Sequence, residues 1–205
     1  MIKTIHSITF TVLFLFFDAP LHAGNQYVVI DDTAVVTSKG KIVRTLVYGD
    51  VVSIGAIQQS DDQFIGSVAE GEINLASTSF INQRAYDLVG DEWNGYRIQF
   101  AAPRIKYQNK ITQGPETKLF SDKLILFATS YLLNASREGM QSVTVNGKKI
   151  YYTREIDDEM VGFKQMTCMM QVEETRWCAI SVIYHPINRI SARRIAFSLQ
   201  VFSEK

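Results

Sequence analysis

The chain has 205 residues, 21 lysines and arginines against 21 aspartates and glutamates, 46% hydrophobic residues, three histidines and two cysteines. A net charge of zero argues against nucleic acid or an anionic membrane surface as partner, because both draw on a basic excess. The apolar content is ordinary for a globular protein, and the length admits one domain or two small ones.

The first residues place Lys3 before an apolar run over residues 8–17, then Asp18, Pro20 and a small-residue exit at Leu21-His22-Ala23. That is the layout of a secretory signal peptide. The run is short for a membrane span and no second long one follows. Cleavage is expected after Ala23, so that residues 1–23 are removed and the mature chain starts near Gly24. It would carry no integral membrane segment and occupy a periplasmic or secreted, oxidising space. Removal takes away one cation, Lys3, and one anion, Asp18, so the balance of charge survives.

Residues 24–81 read as strands almost throughout. The apolar pieces are Tyr27-Val28-Val29-Ile30, Ala34-Val35-Val36, Ile42-Val43, Val51-Val52-Ser53-Ile54, Phe64-Ile65-Gly66-Ser67-Val68 and Ile73-Asn74-Leu75. Breakers separate them at Asp31-Asp32, Ser38-Lys39-Gly40, Tyr48-Gly49-Asp50, Ser60-Asp61-Asp62 and Glu70-Gly71-Glu72. Many short strands in so few residues predict a small barrel. The order of the pieces resembles a bacterial SH3-like (SH3b) domain, most tellingly in the apolar-x-x-Gly-Asp-x-Val segment over residues 46–52. The likeness covers a little under a third of the chain. It implies a groove for cell-wall peptide or protein near Tyr48, Phe64 and Phe80. The chain departs from the family where Val36 and Thr37 stand in place of an arginine and Phe64 in place of a tryptophan. These departures imply weak binding of free cell-wall peptide.

Residues 82–94 read as a linker with a helical turn near residues 84–89. Trp93 and Tyr96 flank Gly95; they either pack the two units together or form an exposed ligand platform. The second unit, residues 95–205, opens with alternating Tyr96, Ile98 and Phe100, and Ile105 to Tyr107 extends that strand. Over residues 121–137 the spacing of Leu124, Phe127, Ala128, Tyr131, Leu132 and Ala135 by three and four predicts a helix, with Gly139 as its cap. A buried strand at residues 124–127 is the alternative. Asn146-Gly147, between Val143-Thr144-Val145 and Ile150-Tyr151-Tyr152, is a hairpin signal of the kind a type I′ turn requires.

A second hairpin follows. Met166, Cys168, Met170 and Val172 share one parity, and Cys178, Ile180, Val182 and Tyr184 share the same one beyond the turn. A turn centred on Glu173 would set Cys168 opposite Cys178, within reach of a disulfide; two reduced buried thiols are the alternative. The last apolar set, Ile195, Phe197, Leu199 and Val201, alternates as a strand, although Ile195, Leu199 and Phe202 also fit a helix. The expected fold class is therefore β plus α+β: an N-terminal small SH3-like β-barrel, then an α+β domain with one helix on a mostly antiparallel sheet.

Catalytic groups are sparse. Only His185 survives removal of residues 1–23, which rules out a multi-histidine metal site, and no nucleophile elbow, zinc-protease motif or phosphate loop occurs. Asp31-Asp32, Asp61-Asp62 and Asp157-Asp158-Glu159 read as solvated turns without calcium-loop spacing. Arg193-Arg194 reads as a solvated basic face, and Asn134-Ala135-Ser136 matches a glycosylation pattern. No catalytic residue, metal or cofactor is assigned. The expectation is an exported binding or adaptor protein of a bacterial envelope whose partner is another envelope protein or cell-wall peptide. The alternatives are a peptidoglycan-binding or hydrolysing protein, or an inhibitor or immunity protein against an exported enzyme.

Overall fold

The structure, a computed structural model, describes residues 24–104, 109–112, 117–121, 126–134 and 138–203. The expected signal segment, residues 1–23, lies outside the described residues. Seven strands come first: β1 (Asn25–Val28), β2 (Val35–Ser38), β3 (Lys41–Thr45), β4 (Val51–Ile54), β5 (Ile57–Ser60), β6 (Gln63–Val68) and β7 (Gly71–Asn74). β1 and β4 form a two-stranded antiparallel sheet, and the other five form a second sheet in the order β3-β2-β7-β6-β5.

The closed barrel expected here is not formed. Part of the reason lies in residues 27–30, which serve two cores at once. Tyr27 and Val29 pack with Val36, Leu46, Ile54, Ile73 and Leu75, whereas Val28 and Ile30 join the core of the rest of the molecule. Successive side chains on extended backbone point to opposite sides. An unbroken apolar run is the pattern of a segment buried on both faces, and here Val28, Val29 and Ile30 are all at most 1% exposed. Among the described residues β3 and β5 are left as open edges.

The remaining strands are β8 (Tyr86–Trp93), β9 (Tyr96–Pro103), β10 (Asn109–Thr112), β11 (Thr117–Ser121), β12 (Leu126–Asn134), β13 (Gln141–Val145), β14 (Lys148–Tyr152), β15 (Ile156–Asp157), β16 (Lys164–Gln171), β17 (Arg176–Tyr184) and β18 (Gln200–Ser203). Among the described residues one α-helix, α1 (Arg189–Phe197), precedes β18. An eight-stranded sheet runs β10-β11-β12-β17-β16-β14-β13, with β15 paired to β16, and a three-stranded sheet runs β18-β9-β8. Helix α1 packs against β9, β16 and β17. Its Ala192, Ile195 and Ala196 are fully buried among Ile98, Phe100, Met166, Ile180 and Tyr184.

Four expectations are corrected by this arrangement. Most of residues 82–94 is not a linker: β8 pairs along its length with β9 around a turn in which Asn94 and Gly95 take φ of 48° and 82°. Residues 126–134, expected inside a helix, form strand β12, paired with both β11 and β17. Its two faces are both covered, Ala128 and Leu132 facing one core and Tyr131 and Leu133 another. Apolar residues of both parities then imitate helical spacing. The final segment is neither all strand nor all helix but α1 followed by β18. The two cysteines, finally, are free and buried.

That last correction is one of register. β16 and β17 do share an apolar face at Met166, Cys168, Cys178, Ile180, Val182 and Tyr184, each fully buried. Cys168, however, lies opposite Ile180, and Cys178 opposite Met170. The turn centre falls one residue later than Glu173, which slides the arms by two positions and preserves parity while separating the thiols. They do not lie at disulfide distance.

Candidate functional site

Two features meet where the N-terminal strands join the larger body: a buried ion cluster and, beside it, an open groove. The cluster forms because α1 turns Arg189 and Arg193, four residues apart and so on one face, toward the loop after β1. The Arg193 guanidinium donates from Nη1 to the Ile30 carbonyl at 2.8 Å and to Asp32 Oδ2 at 3.2 Å, and from Nε to Glu155 Oε1 at 2.6 Å. Its carbon stands 3.9 Å from the centroid of the Tyr48 ring, a cation–π contact. Arg189 Nε lies 3.0 Å from the second Glu155 oxygen. Arg194 reaches the other way, to the carbonyls of Ala76 and Thr78 and the Tyr86 hydroxyl.

The electrostatics follow from this packing. Burial pushes the phenols of Tyr48 and Tyr184 far above the ordinary range, and the Glu155 carboxylate adds to the shift at Tyr184. Burial would lower Arg193, but Glu155, Tyr48 and Asp32 outweigh it and hold the guanidinium charged. The cluster is a cation compensated on every side. It has the character of a structural lock rather than a reactive centre.

The groove lies between the chain segments 26–27 and 79–83 on one wall and the β13–β14 hairpin, the end of α1 and β18 on the other, and encloses about 520 Å³. Its end is fixed by a reciprocal amide clamp. Gln26 N donates to Asn146 Oδ1 at 2.8 Å, Asn146 N donates to Gln26 Oε1 at 2.8 Å, and Asn146 Nδ2 donates to the Gln26 carbonyl at 3.0 Å. Asn146 and Gly147 take φ of 49° and 75°, the type I′ geometry that the sequence predicts. The lining is aromatic and amide-rich, and among the described residues it contains one cation, Lys148, and no carboxylate. Lys148 Nζ stands 5.4 Å from the Phe202 centroid, and the Arg97 guanidinium carbon 5.0 Å from the same ring.

Of the candidate binding residues Tyr48, Phe64, Phe80, Trp93 and Tyr96, Phe80 alone is in the described lining of this groove. It touches Tyr27 edge-on at 5.8 Å and Phe64 at 5.5 Å between centroids, so Phe64 backs it from the N-terminal core. Tyr48 is instead the ring beneath Arg193, in edge contact with Tyr152 and Phe197. Tyr96 is 6% exposed and donates its hydroxyl to Glu173 at 2.7 Å; it is a packed residue. The Trp93 side chain lies outside the described residues. Val36, a core residue at 1% exposure, lies outside this groove and contributes to the wall of another pocket. That smaller pocket, of about 330 Å³, is rimmed by the Arg44–Glu70 ion pair at 3.3 Å.

Arg193, expected on a solvated face, is 4% exposed. Asp32 joins its cluster, whereas Asp31 accepts from Thr33 N and Oγ1 and from Ser77, and Asp158 accepts from Met160 N, as turn residues do. His185 is exposed, with its Nδ1 accepting from Ile187 N at 3.4 Å and its ring edge-on to Phe163. Sequence reading missed Glu155, Arg189 and the groove wall at Lys148 and Phe202. The available signal was the four-residue spacing of Arg189 and Arg193.

Among the described residues no group of three metal-ligating side chains occurs, and no helix is long and apolar enough to cross a membrane. No family model matches the chain, and no curated protein matches its sequence.

Proposed function

We propose that the protein is an exported binding or adaptor protein of the bacterial envelope, acting through protein–protein contact at the junction groove. The observation that carries this reading is the groove itself. It is a concave, aromatic-lined site of about 520 Å³ at the seam between two parts of the chain, where binding sites concentrate. Its clamped end, Gln26 against Asn146, holds the walls in place without a ligand. Such preorganisation lowers the entropy lost on binding. The layout of residues 1–23 and the SH3b-like pattern of residues 26–81 support an envelope setting.

Site-specific photocrosslinking tests the reading. A benzophenone side chain replaces Gln83 at the groove rim or, as a control, the exposed Gln58 on β5, in cells that export the protein. A discrete adduct from position 83 and none from position 58 is expected. Equal adducts at both positions, no adduct at all, or release of fragments from purified peptidoglycan would overturn it.

A further inference from the structure

The junction groove is apolar at depth. Ile150, Met170, Phe197 and Leu199 line it while each is at most 9% exposed, so they form its floor. Tyr27 and Phe80 stand on one wall and Phe202 on the other. The lining also holds the side-chain amides of Gln83 and Gln200, which make no hydrogen bond among the described residues. No carboxylate occurs in the described lining, and its one cation, the exposed Lys148, rests over the Phe202 ring. The site therefore offers rings, a thioether and neutral hydrogen-bonding groups that have no partner of their own.

We propose that the groove takes one tryptophan or tyrosine side chain of a partner protein, its ring on the aromatic lining and its N–H or O–H donated to the amide of Gln83 or Gln200. The inference rests on the junction groove being the binding site and adds the residue by which the partner anchors there. Protein interfaces are held chiefly by tryptophan, tyrosine and arginine anchors seated in desolvated pockets. Charge decides among the three. An arginine would shed its water with no described carboxylate to meet the guanidinium, and Lys148 would repel it. A carboxylate would have to draw Lys148 off the Phe202 ring. Tryptophan and tyrosine combine a large apolar ring with a single donor, and ring pairs attract beyond what burial alone gives. The Met170 thioether on the floor adds a favourable sulfur–ring contact. An aliphatic side chain would fill the same space but leave the two amides stripped of water and unpaired, which opposes binding.

The test titrates the purified protein with the N-acetyl amides of tryptophan, tyrosine, phenylalanine, leucine, arginine and glutamate, followed by nitrogen–proton correlation spectra. The tryptophan and tyrosine derivatives should give saturable shifts at the backbone amides of Phe80, Ile81, Leu199 and Phe202 in the millimolar range. The leucine derivative should bind about fivefold more weakly, because it lacks the ring contacts. Neither charged derivative should saturate. Phenylalanine should bind less tightly than tyrosine, and the double variant Gln83→Ala, Gln200→Ala should abolish that difference while phenylalanine binding and far-ultraviolet circular dichroism stay unchanged. Failure of the tryptophan derivative to saturate, equal binding of the leucine or a charged derivative, shifts confined to residues outside the groove, or a tyrosine preference that survives the double variant would each overturn the proposal. If it falls while the crosslink from position 83 stands, the binding site survives and only the identity of the anchor is lost; loss of that crosslink removes the site itself.

Discussion

At 4% exposure the Arg193 side chain has its charge met within the protein, by Glu155, by Asp32, by the Ile30 carbonyl and by the face of Tyr48. Removing the Arg193 cation leaves the Glu155 carboxylate, whose side chain is 13% exposed, with only the half-exposed Arg189 guanidinium beside it. Breaking a buried pair from one side typically costs about 3–5 kcal/mol, while replacing both partners with apolar groups costs much less. Urea unfolding should therefore place Arg193→Met well below the parent and Arg193→Met with Glu155→Leu between the two. Equal stability of parent and single variant would mean that the cluster contributes nothing. The buried acids give a second residue-level expectation. Burial pushes the Cys178 thiol up to about 12, and pushes Cys168, Tyr48 and Tyr184 up in the same direction. In the unfolded chain these groups lose their protons from about pH 8.5 for the thiols and about pH 10 for the phenols. Over that window the unfolded state binds fewer protons, so stability is fully present below it and falls as pH rises toward 12. Denaturation midpoints taken from neutral to alkaline pH check the sign. At neutral pH iodoacetamide should modify neither cysteine until the protein is unfolded, because the thiolate is the reactive form.

At the level of elements, two hairpins carry the same Asn-Gly pair and differ in what surrounds it. Asn94-Gly95 joins β8 to β9, and Asn146-Gly147 joins β13 to β14; in both the asparagine sits at positive φ. Only Asn146 also closes the clamp on Gln26. Asn94→Ala should thus report the backbone strain alone, about 1 kcal/mol. Asn146→Ala should add the lost hydrogen bonds, at about 0.5–1.5 kcal/mol for each. Equal losses in chemical denaturation would show that the clamp adds no stability. The comparison also marks what was legible. The dipeptide at 146–147 stands between alternating apolar residues, which mark it as a turn. The same dipeptide at 94–95 stood beside Gly90, Asp91 and Glu92, whose polarity reads as linker although β8 is a strand. For β12 the obstacle was physical: a strand covered on both faces has no polar parity to reveal its period. In β16 and β17 parity was legible and register was not, because a shift of two leaves every side chain on its own face.

For the molecule as a whole, the decisive fact is that Val28 and Ile30 belong to the larger core while Val29 belongs to the N-terminal one. Burying side chains of this size stabilises by about 1.5–3 kcal/mol each, so each part depends on the other for a share of its stability. Calorimetry should record one unfolding transition rather than two. A fragment of residues 24–94 should lack cooperative folding by itself, and trypsin acting near Arg84 should not release a stable N-terminal piece. Two resolved transitions, or a protease-resistant fragment, would show separable domains. The sequence-level division at residues 82–94 followed local composition, which reports turns and polarity. It carries no sign that Arg193 will meet Ile30, because nothing local to either residue depends on the other.

That contact joins positions 163 residues apart, and its consequence is one of timing. A chain is made from its N-terminus at about 5–20 residues per second, so strands β1 to β7 exist for some seconds before α1 and β18 do. During that interval Val28 and Ile30 have no core to enter, and the carbonyl of Ile30 has no guanidinium to receive. The early strands must wait exposed, with β3 and β5 as open edges, which is the condition under which nascent β-structure pairs with the wrong neighbour. A chain truncated before α1 should accordingly aggregate at concentrations at which the full chain remains dispersed, as light scattering would show.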